Sequence, residues 1–422
     1  MLLDIIGLVL AVGFLTMCFW GLYNLPILIM GIKDFRRTRQ KKSRKNLSTE
    51  VLPTVSIVLP VKNEESVIGT LLTSLSKLNY PTDKREIIIV EDGSTDKTPD
   101  ICMNFAKNNT GVKILHRSSS NGKPSALNYG ITHAKGEIIA IFDADNVLDS
   151  NVLMAVSEYF EDPKVAAVQG KTLSLNPKKN MLTQFISYEE TVWCEVFLRG
   201  KDLLNLFVHL KGSCQFIRRD VLEKVKGFDE AVLCEDMEVS AKLLEHGYKI
   251  RYGSNVIAWQ ESPSDLKTLF NQRTRWFRGT MEVAIKYGRL MAKLSRINFD
   301  AETTLFAPFL LVASLLPYIA TVWAIFAVIP FNTLWILAMP LATLTTALSL
   351  LVCGFALVYV TKPRKARSLL WLPFIYFYWS FQSLIALYAL LLIALKRPRR
   401  WSKTDKQGVD ANSMLIQTSD NL

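Results

Sequence analysis

The stretch GEIIAIFDADNVLD (residues 136–149) sets five consecutive apolar residues, Ile138 to Phe142, directly before two carboxylates, Asp143 and Asp145. A short, continuous apolar run is the pattern of a strand buried on both faces. Like charges at the mouth of such a strand are costly unless something offsets them. On an extended strand, residues i and i+2 point to the same side, so both carboxylates would reach one hard cation. Oxygen ligands suit Mg²⁺ or Mn²⁺, often shared with substrate phosphates. Helix capping by Asp, Asn and Ser is the competing reading. Asp149, Ser150 and Asn151 already serve it for a helix beginning near Val152, which leaves Asp143 and Asp145 for metal and phosphate.

Working outward, the pattern repeats. VSIVLPV (55–61), EIIIVED (86–92) and VKILHR (112–117) read as strands, alternating with helix-like segments at 64–78, 96–108 and 123–134. Apolar strands alternating with helices predict an α/β domain with a mostly parallel, Rossmann-like sheet. Ligands of such sheets bind at the carboxyl ends of the strands. Glu91 and Asp92 end one strand, as Asp143 and Asp145 end another. Asp92 alone would be explained by a Gly-containing turn, EDGSTDKT, before a helix; a second acid on the same crevice argues for function. The turn after strand one, PVKNEES, carries no GxGxxG, and no P-loop is present. Phosphate binding must therefore rely on metal and basic side chains, with Lys123 a candidate and an ordinary solvated lysine its alternative. Farther on, 231–248 reads as a helix with Glu235 and Asp236 at its start, where the dipole favours acids in any case. FNQRTRWFRG (270–279) groups Gln272, Arg275, Trp276 and Arg278 and also suits an amphipathic helix on a membrane surface.

The chain has 422 residues, a net charge of +12 and 50% hydrophobic residues. The apolar excess is concentrated at the two ends. Residues 1–32 are expected to form a transmembrane helix, and 33–53 a basic cytosolic linker. KDFRRTRQKKSRK (33–45) holds eight Lys/Arg and one Asp, which the positive-inside rule places in the cytosol. Directly after a span, such a run reads as membrane-surface charge and not as a nucleic-acid patch. Residues 54–298 form the predicted α/β domain, with an interfacial helix near 265–295. Residues 299–396 hold about three apolar stretches, 305–330, 332–360 and 369–395, and 397–422 form a basic, then polar, tail. Three full spans would carry that tail outside, whereas its basic residues argue for inside; one stretch lying along the interface, with Pro373 as a break, reconciles the two. The six cysteines show no CxxC and the four histidines are scattered, which argues against a zinc site or a disulfide framework and suits a reduced cytosolic domain.

Taken together and in order, SIVLPVKNEE, IIIVEDGSTD, GKPSALN, FDAD, KGSCQFIRRDVLEKVKGFDE, CEDMEVSAKLLEHGY and QRTRW resemble the membrane-integrated family 2 glycosyltransferases of GT-A fold. That group contains the cellulose, chitin, hyaluronan and poly-N-acetylglucosamine synthases, and the likeness covers about residues 54–280. It implies that Asp92, with Glu91 beside it, holds the nucleotide base. Asp143 and Asp145 become the D-x-D pair, with Asp145 chiefly ligating the metal on the diphosphate. Asp236 becomes the catalytic base beside Glu235. Gln272, Arg275 and Trp276 become the Q-x-x-R-W motif beside diphosphate and acceptor, and Gly212 and Ser213 fall in the acceptor-side loop. Lys62 departs from the pattern, standing where several relatives carry an aromatic that contacts the base. The resemblance implies an inverting transfer, dependent on Mg²⁺ or Mn²⁺, from a UDP-sugar to a growing polysaccharide. The enzyme would sit in the plasma membrane as a multi-pass protein with a cytosolic catalytic domain. With few C-terminal spans for a closed channel, a partner subunit or homo-oligomer enters the expectation. Single-sugar transfer to a lipid or polyprenyl phosphate is the alternative within enzymes. A catalytically dead membrane scaffold is the alternative outside them, and it predicts missing acids, whereas Asp92, Asp143, Asp145 and Asp236 are all present.

Overall fold

The computed structural model describes residues 2–38, 52–290, 293–316 and 372–399, with 344, 354, 357, 370, 404, 406 and 408. Most of the apolar stretches 332–360 and 305–330, residues 39–51 of the linker and most of the tail lie outside these residues. A 37-residue helix, α1 (Leu2–Thr38), opens the chain and carries the start of the basic flank in its last turns. The central domain follows in the order β1 (Val55–Val61), α2 (Ile68–Ser76), β2 (Arg85–Glu91), α3 (Thr98–Asn108), β3 (Val112–His116), α4 (Lys123–Thr132), β4 (Ile138–Ile141), β5 (Val147–Leu148), α5 (Val152–Ser157), β6 (Val165–Ser174), α6 (Met181–Val192), α7 (Arg199–Leu203), β7 (Gln215–Arg218), α8 (Arg219–Lys224), α9 (Glu235–Glu245), β8 (Lys249–Gln260) and α10 (Leu266–Tyr287). Then come α11 (Arg296–Leu305), α12 (Ala307–Ala313) and α13 (Leu372–Ala394).

The eight strands form one sheet in the order β3-β2-β1-β4-β7-β6-β8-β5. β3, β2, β1 and β4 run parallel. β7 is antiparallel to both its neighbours, while β6 and β8 are parallel to each other. Alternate residues of the inner strands supply two cores. Ile57 and Leu59 face α2, whose Leu71 and Leu75 are buried. Val58, Ile88 and Val90 face α4, α8 and α9 through Leu127, Leu222 and Leu243. Both faces are thus covered, the physical reason the strands read as continuous apolar runs.

This topology places the site. β1 and β2 end level, Val61 opposite Glu91, and β4 ends beside β1. Because β7 runs the other way, its start at Gln215 lies opposite Ile141, the end of β4. The loop before β7, with Gly212 and Ser213, therefore reaches the same edge as the strand-end acids. Two sequence expectations are shortened. Residues 64–67 form a turn before α2, with Val67 and Ile68 N–H both on the Glu64 carbonyl and Glu64 N–H on the Thr98 hydroxyl. The helix expected from 231 starts only at Glu235.

Of the apolar ends, Pro373–Ala394 is long and apolar enough to cross a membrane. One face of α13, with Ile375, Tyr378, Gln382, Ile385 and Ala389, is buried, packing against α10 and α12; Phe374, Phe377, Leu384 and Leu391 on the rest are exposed. α1 shows the same division, with Ile27 buried and Leu15, Phe19 and Leu22 exposed. α1 docks closely: a Cβ on Gly31 would meet the Val196 carbonyl at 1.9 Å, and one on Gly200 the Ile27 carbonyl at 2.0 Å.

Candidate active site

At the β2 end, Glu91 is 1% exposed. Its Oε2 lies 2.5 Å from His116 Nδ1, and its Oε1 accepts the Ser94 N–H at 2.6 Å. Glu91 thus ties β2 to β3 and holds the turn at Gly93, whose φ of +72° favours glycine. Asp92 takes the Ser120 hydroxyl, and Arg117 Nε lies 3.3 Å from its Oδ1. The carboxylate expected at the nucleotide base therefore has a guanidinium beside it. Arg117 follows β3 as Asp92 follows β2, the one sequence signal that could have singled it out.

The D-x-D pair lies off the strand. β4 ends at Ile141, and Asp143 to Asn146 form a turn closed by Asn146 N–H on the Asp143 carbonyl at 3.0 Å. Ser213 supports this turn: its hydroxyl donates to Asn146 Oδ1 and accepts the Asp143 N–H at 3.1 Å. Strand alternation therefore does not orient the two acids, and the structure corrects that expectation. Each carboxylate takes its own lysine. Asp143 Oδ1 lies 2.6 Å from Lys123 Nζ, and Asp145 Oδ2 lies 2.6 Å from Lys406 Nζ. These two ammonium groups balance the two acids in this structure. Lys406 also donates to the Glu261 carbonyl at 2.5 Å, and Gly408 N–H donates to Glu261 Oε2 at 3.1 Å. Burial opposes the charge on Lys406, but Asp145 and Glu261 outweigh it and raise its pKa. The tail reaches this point along α10: Arg278 donates to the Arg397 and Pro398 carbonyls, and Arg399 to Glu282. Arg397, Pro398, Arg399 and Lys406 therefore lie against the central domain, a placement the sequence left open.

Lys123 opens α4 and joins three parts of the site. Besides Asp143 it meets the Gly212 carbonyl at 2.9 Å and lies 3.5 Å from Glu235 Oε1. Burial lowers its pKa, but Asp143, Glu235 and Asp236 overcome that and the net shift is upward. Gly212 has φ +79°, and a Cβ there would stand 3.2 Å from Asp236 Oδ2 and 3.5 Å from Lys123 Nζ. Asp236 sits in the first turn of α9 with Oδ1 on the Met237 N–H at 2.8 Å. Burial first, then the charge of Glu235, push its carboxyl up to about 7 against the pull of Lys123 and Arg275.

The helix carrying Gln272, Arg275 and Trp276 is pinned to α9. Cys234 Sγ contacts the carbonyls of Arg275 and Trp276, each at 3.7 Å. A Cβ on Gly279 would come within 2.4 Å of that sulfur, so the close approach of α9 and α10 depends on glycine. Arg275 acts electrostatically on Asp236, and Trp276 packs with Phe207, Cys234 and Met237. Gln272 is half-buried on the same helix. Arg273 stacks on the Trp276 ring at 4.5 Å and pairs with Glu189 at 2.7 Å. Arg273, Glu189 and Lys406 carry no motif of their own in the sequence, and only the structure brings them to the site.

Among the described residues, no three or more His, Cys, Asp and Glu side chains gather as a metal cage. Asp143 and Asp145 suit a hard cation completed by ligand oxygens, and the ammonium on Asp145 fits a carboxylate built to hold positive charge.

Known proteins resemble the chain in sequence and in fold. "Probable glycosyltransferase YdaM" of Bacillus subtilis is 33% identical over 68% of this chain and 70% of its own. The "Beta-monoglucosyldiacylglycerol synthase" of Nostoc sp. is 35% identical over 57% of this chain, which spans about half that relative's length (52%). The "Poly-beta-1,6-N-acetyl-D-glucosamine synthase" of Staphylococcus epidermidis is 30% identical over 64% of this chain and 63% of its own. The mannosyltransferase PcManGT from Pyrobaculum calidifontis, solved with GDP-Man and Mn²⁺, superposes with a TM-score of 0.60 at 21% identity, covering 92% of this chain and 99% of that one. That likeness shows a shared GT-A-like α/β fold. The model described as "Glycosyltransferase like family 2" matches residues 53–279, and the chain belongs to that family of glycosyltransferases.

Proposed function

We propose that the protein is an inverting, metal-dependent hexosyltransferase that moves a sugar from a nucleotide-sugar, a UDP-sugar in the first place, to a growing saccharide at a membrane surface. The observation that carries this is Lys123: one ammonium bridges Asp143 of the D-x-D turn, the Gly212 carbonyl and Glu235, next to Asp236. Diphosphate site and general base are thereby held within one side chain's reach. Asp92 receives the nucleotide base, with Glu91 bracing its strand end, and Lys123 and Arg275 face the diphosphate. Asp145 and Asp143 would hold Mg²⁺ or Mn²⁺, which supplies charge stabilisation to the leaving diphosphate when bound. Asp236 takes the proton of the acceptor hydroxyl as its oxygen bonds to the anomeric carbon and the bond to the diphosphate breaks. Trp276 offers a ring face to the acceptor, and Gln272, Glu235 and the Gly212–Ser213 loop border it. A single displacement of this kind inverts the anomeric carbon.

The likeness to a mannosyltransferase solved with GDP-Man and Mn²⁺ supports a nucleotide-sugar donor and a divalent ion. The exposed apolar faces of α1 and α13 support burial in a bilayer, with the catalytic domain and the basic segments on the cytosolic side of the plasma membrane. In such a setting the multi-pass region, alone or with a partner subunit or second copy, accompanies the product. A second reading, single-sugar transfer to a lipid, is favoured by the 35% identity to a glucosyldiacylglycerol synthase. The test incubates the full chain in nanodiscs with UDP-glucose, UDP-N-acetylglucosamine and GDP-mannose, with and without Mn²⁺ or Mg²⁺. A metal-dependent polymer supports the first reading and a glycolipid the second; consumption of no donor refutes both.

A further inference from the structure

The neighbouring acids Glu189 and Glu190, on α6, have no part in the assignments above. Glu189 is fully engaged: its Oε2 accepts from Arg273 and from the Tyr378 hydroxyl, each at 2.7 Å, and its Oε1 accepts from Gln382 at 3.2 Å. Glu190 is different. It is 9% exposed; its Oε1 accepts from Gln260 Nε2 at 3.0 Å, while its Oε2 is buried with no hydrogen-bond partner among the described residues. A buried polar atom without a partner is costly and calls for an explanation. Burial pushes the Glu190 carboxyl up, against the pull of Lys211, the Gln260 bond and Arg273.

The residues that bond to Glu190 or act on its charge are adjacent to residues of the reaction centre. Gln260 immediately precedes Glu261, whose N–H lies 3.3 Å from Asp145 Oδ2. Lys211 immediately precedes Gly212, which lies against Asp236 and Lys123. Arg273 stacks on Trp276. Glu190 is thus tied by a hydrogen bond to the strand end beside the D-x-D turn and electrostatically to the loop over the base and the helix of the aromatic platform. A phosphate would be repelled there and an acyl chain would leave the oxygen bare. A hydroxyl donates to it.

We propose that Glu190 is an acceptor-binding residue: its Oε2 accepts a hydrogen bond from a hydroxyl neighbouring the one that is glycosylated, so the acceptor is a sugar ring and not a simple diglyceride, which has a single free hydroxyl. The inference deepens the function proposed above and rests on it. The test uses the full chain in phosphatidylcholine nanodiscs with Mn²⁺ and UDP-glucose or UDP-N-acetylglucosamine. UDP release is followed with no acceptor, with an oligosaccharide of the same sugar, and with dioleoylglycerol in the disc. Glu190→Gln is expected to raise the oligosaccharide KM about tenfold while donor KM and UDP release to water stay unchanged. An unchanged oligosaccharide KM overturns the proposal. So does an equal fall in turnover with oligosaccharide and with water, the mark of a merely structural carboxyl, and so does a wild type that prefers dioleoylglycerol. If Glu190→Gln fails to fold, seen as loss of its thermal transition, Glu190→Asp decides by the same comparison, since it keeps the charge and shortens the reach. A folded wild type that releases no UDP from either donor removes the proposed function, and this inference with it.

Discussion

The raised pKa of Asp236 makes a quantitative demand on the pH dependence of transfer. A general base works only when deprotonated. With its carboxyl pushed up to about 7, kcat/KM should climb with pH below neutrality and level off above it. Burial is the larger cause and Glu235 the next. Replacing Glu235 by Gln removes the like charge and leaves the burial, so the limb should move to lower pH. A displacement of about one unit, about 1.4 kcal/mol of differential interaction, would raise the deprotonated fraction at pH 6 from roughly one-eleventh to one-half. The rate at pH 6 relative to the plateau would then be roughly fivefold higher in the variant. The assay is UDP release at limiting donor from pH 5 to 9 with saturating Mn²⁺, for wild type, Glu235→Gln and Asp236→Asn. The reasoning fails if the wild-type limb lies near the ordinary aspartate value, or if Glu235→Gln leaves it in place or moves it upward. Asp236→Asn should abolish transfer at every pH while donor binding, followed by calorimetry, is retained.

Three further outcomes follow from the geometry. Lys406→Ala removes the ammonium from Asp145, so Mn²⁺ without donor should bind several-fold more tightly by electron paramagnetic resonance titration; equal affinity would mean the tail does not compete. Gly279→Ala sets a Cβ 2.4 Å from Cys234 Sγ, so it should lower stability by about 1–3 kcal/mol, read as the thermal midpoint, and cut transfer by parting α9 from α10. Gly212→Ala combines a φ of +79° with a Cβ 3.2 Å from Asp236 Oδ2. It should cost about 1–2 kcal/mol of backbone strain and lower kcat about tenfold, checked by single-turnover kinetics.

The sheet and its acids were legible in the chain for a physical reason. Strands covered on both faces must be apolar throughout, so VSIVLPV and EIIIVE announce themselves, and any charge just past such a run stands at the open carboxyl edge. Asp92, Asp143 and Asp145 were readable on that ground, and the order of motifs tied Asp236, Gln272, Arg275 and Trp276 to them. Local turns were less legible. The same apolar signal that marked β4 did not show that it stops at Ile141, because Asn146 and the Ser213 hydroxyl, brought in by an antiparallel strand, claim the next backbone groups.

What the amino-acid sequence determined by itself is therefore the α/β alternation, the acids at the strand ends and the apolar segments flanking the domain. Only the tertiary structure decided which charge answers which. Asp143 is met by Lys123 and Asp145 by Lys406, at the far end of the chain; Arg273 beneath Trp276 is held by Glu189 and, through it, by Tyr378 and Gln382 of the apolar helix; and, among the described residues, Glu190 is left with one oxygen unclaimed. Periodicity encodes which face of an element is buried. An ion pair depends instead on distance in space between residues with no periodic relation, and that distance exists only once the sheet has closed and the helices have packed on it.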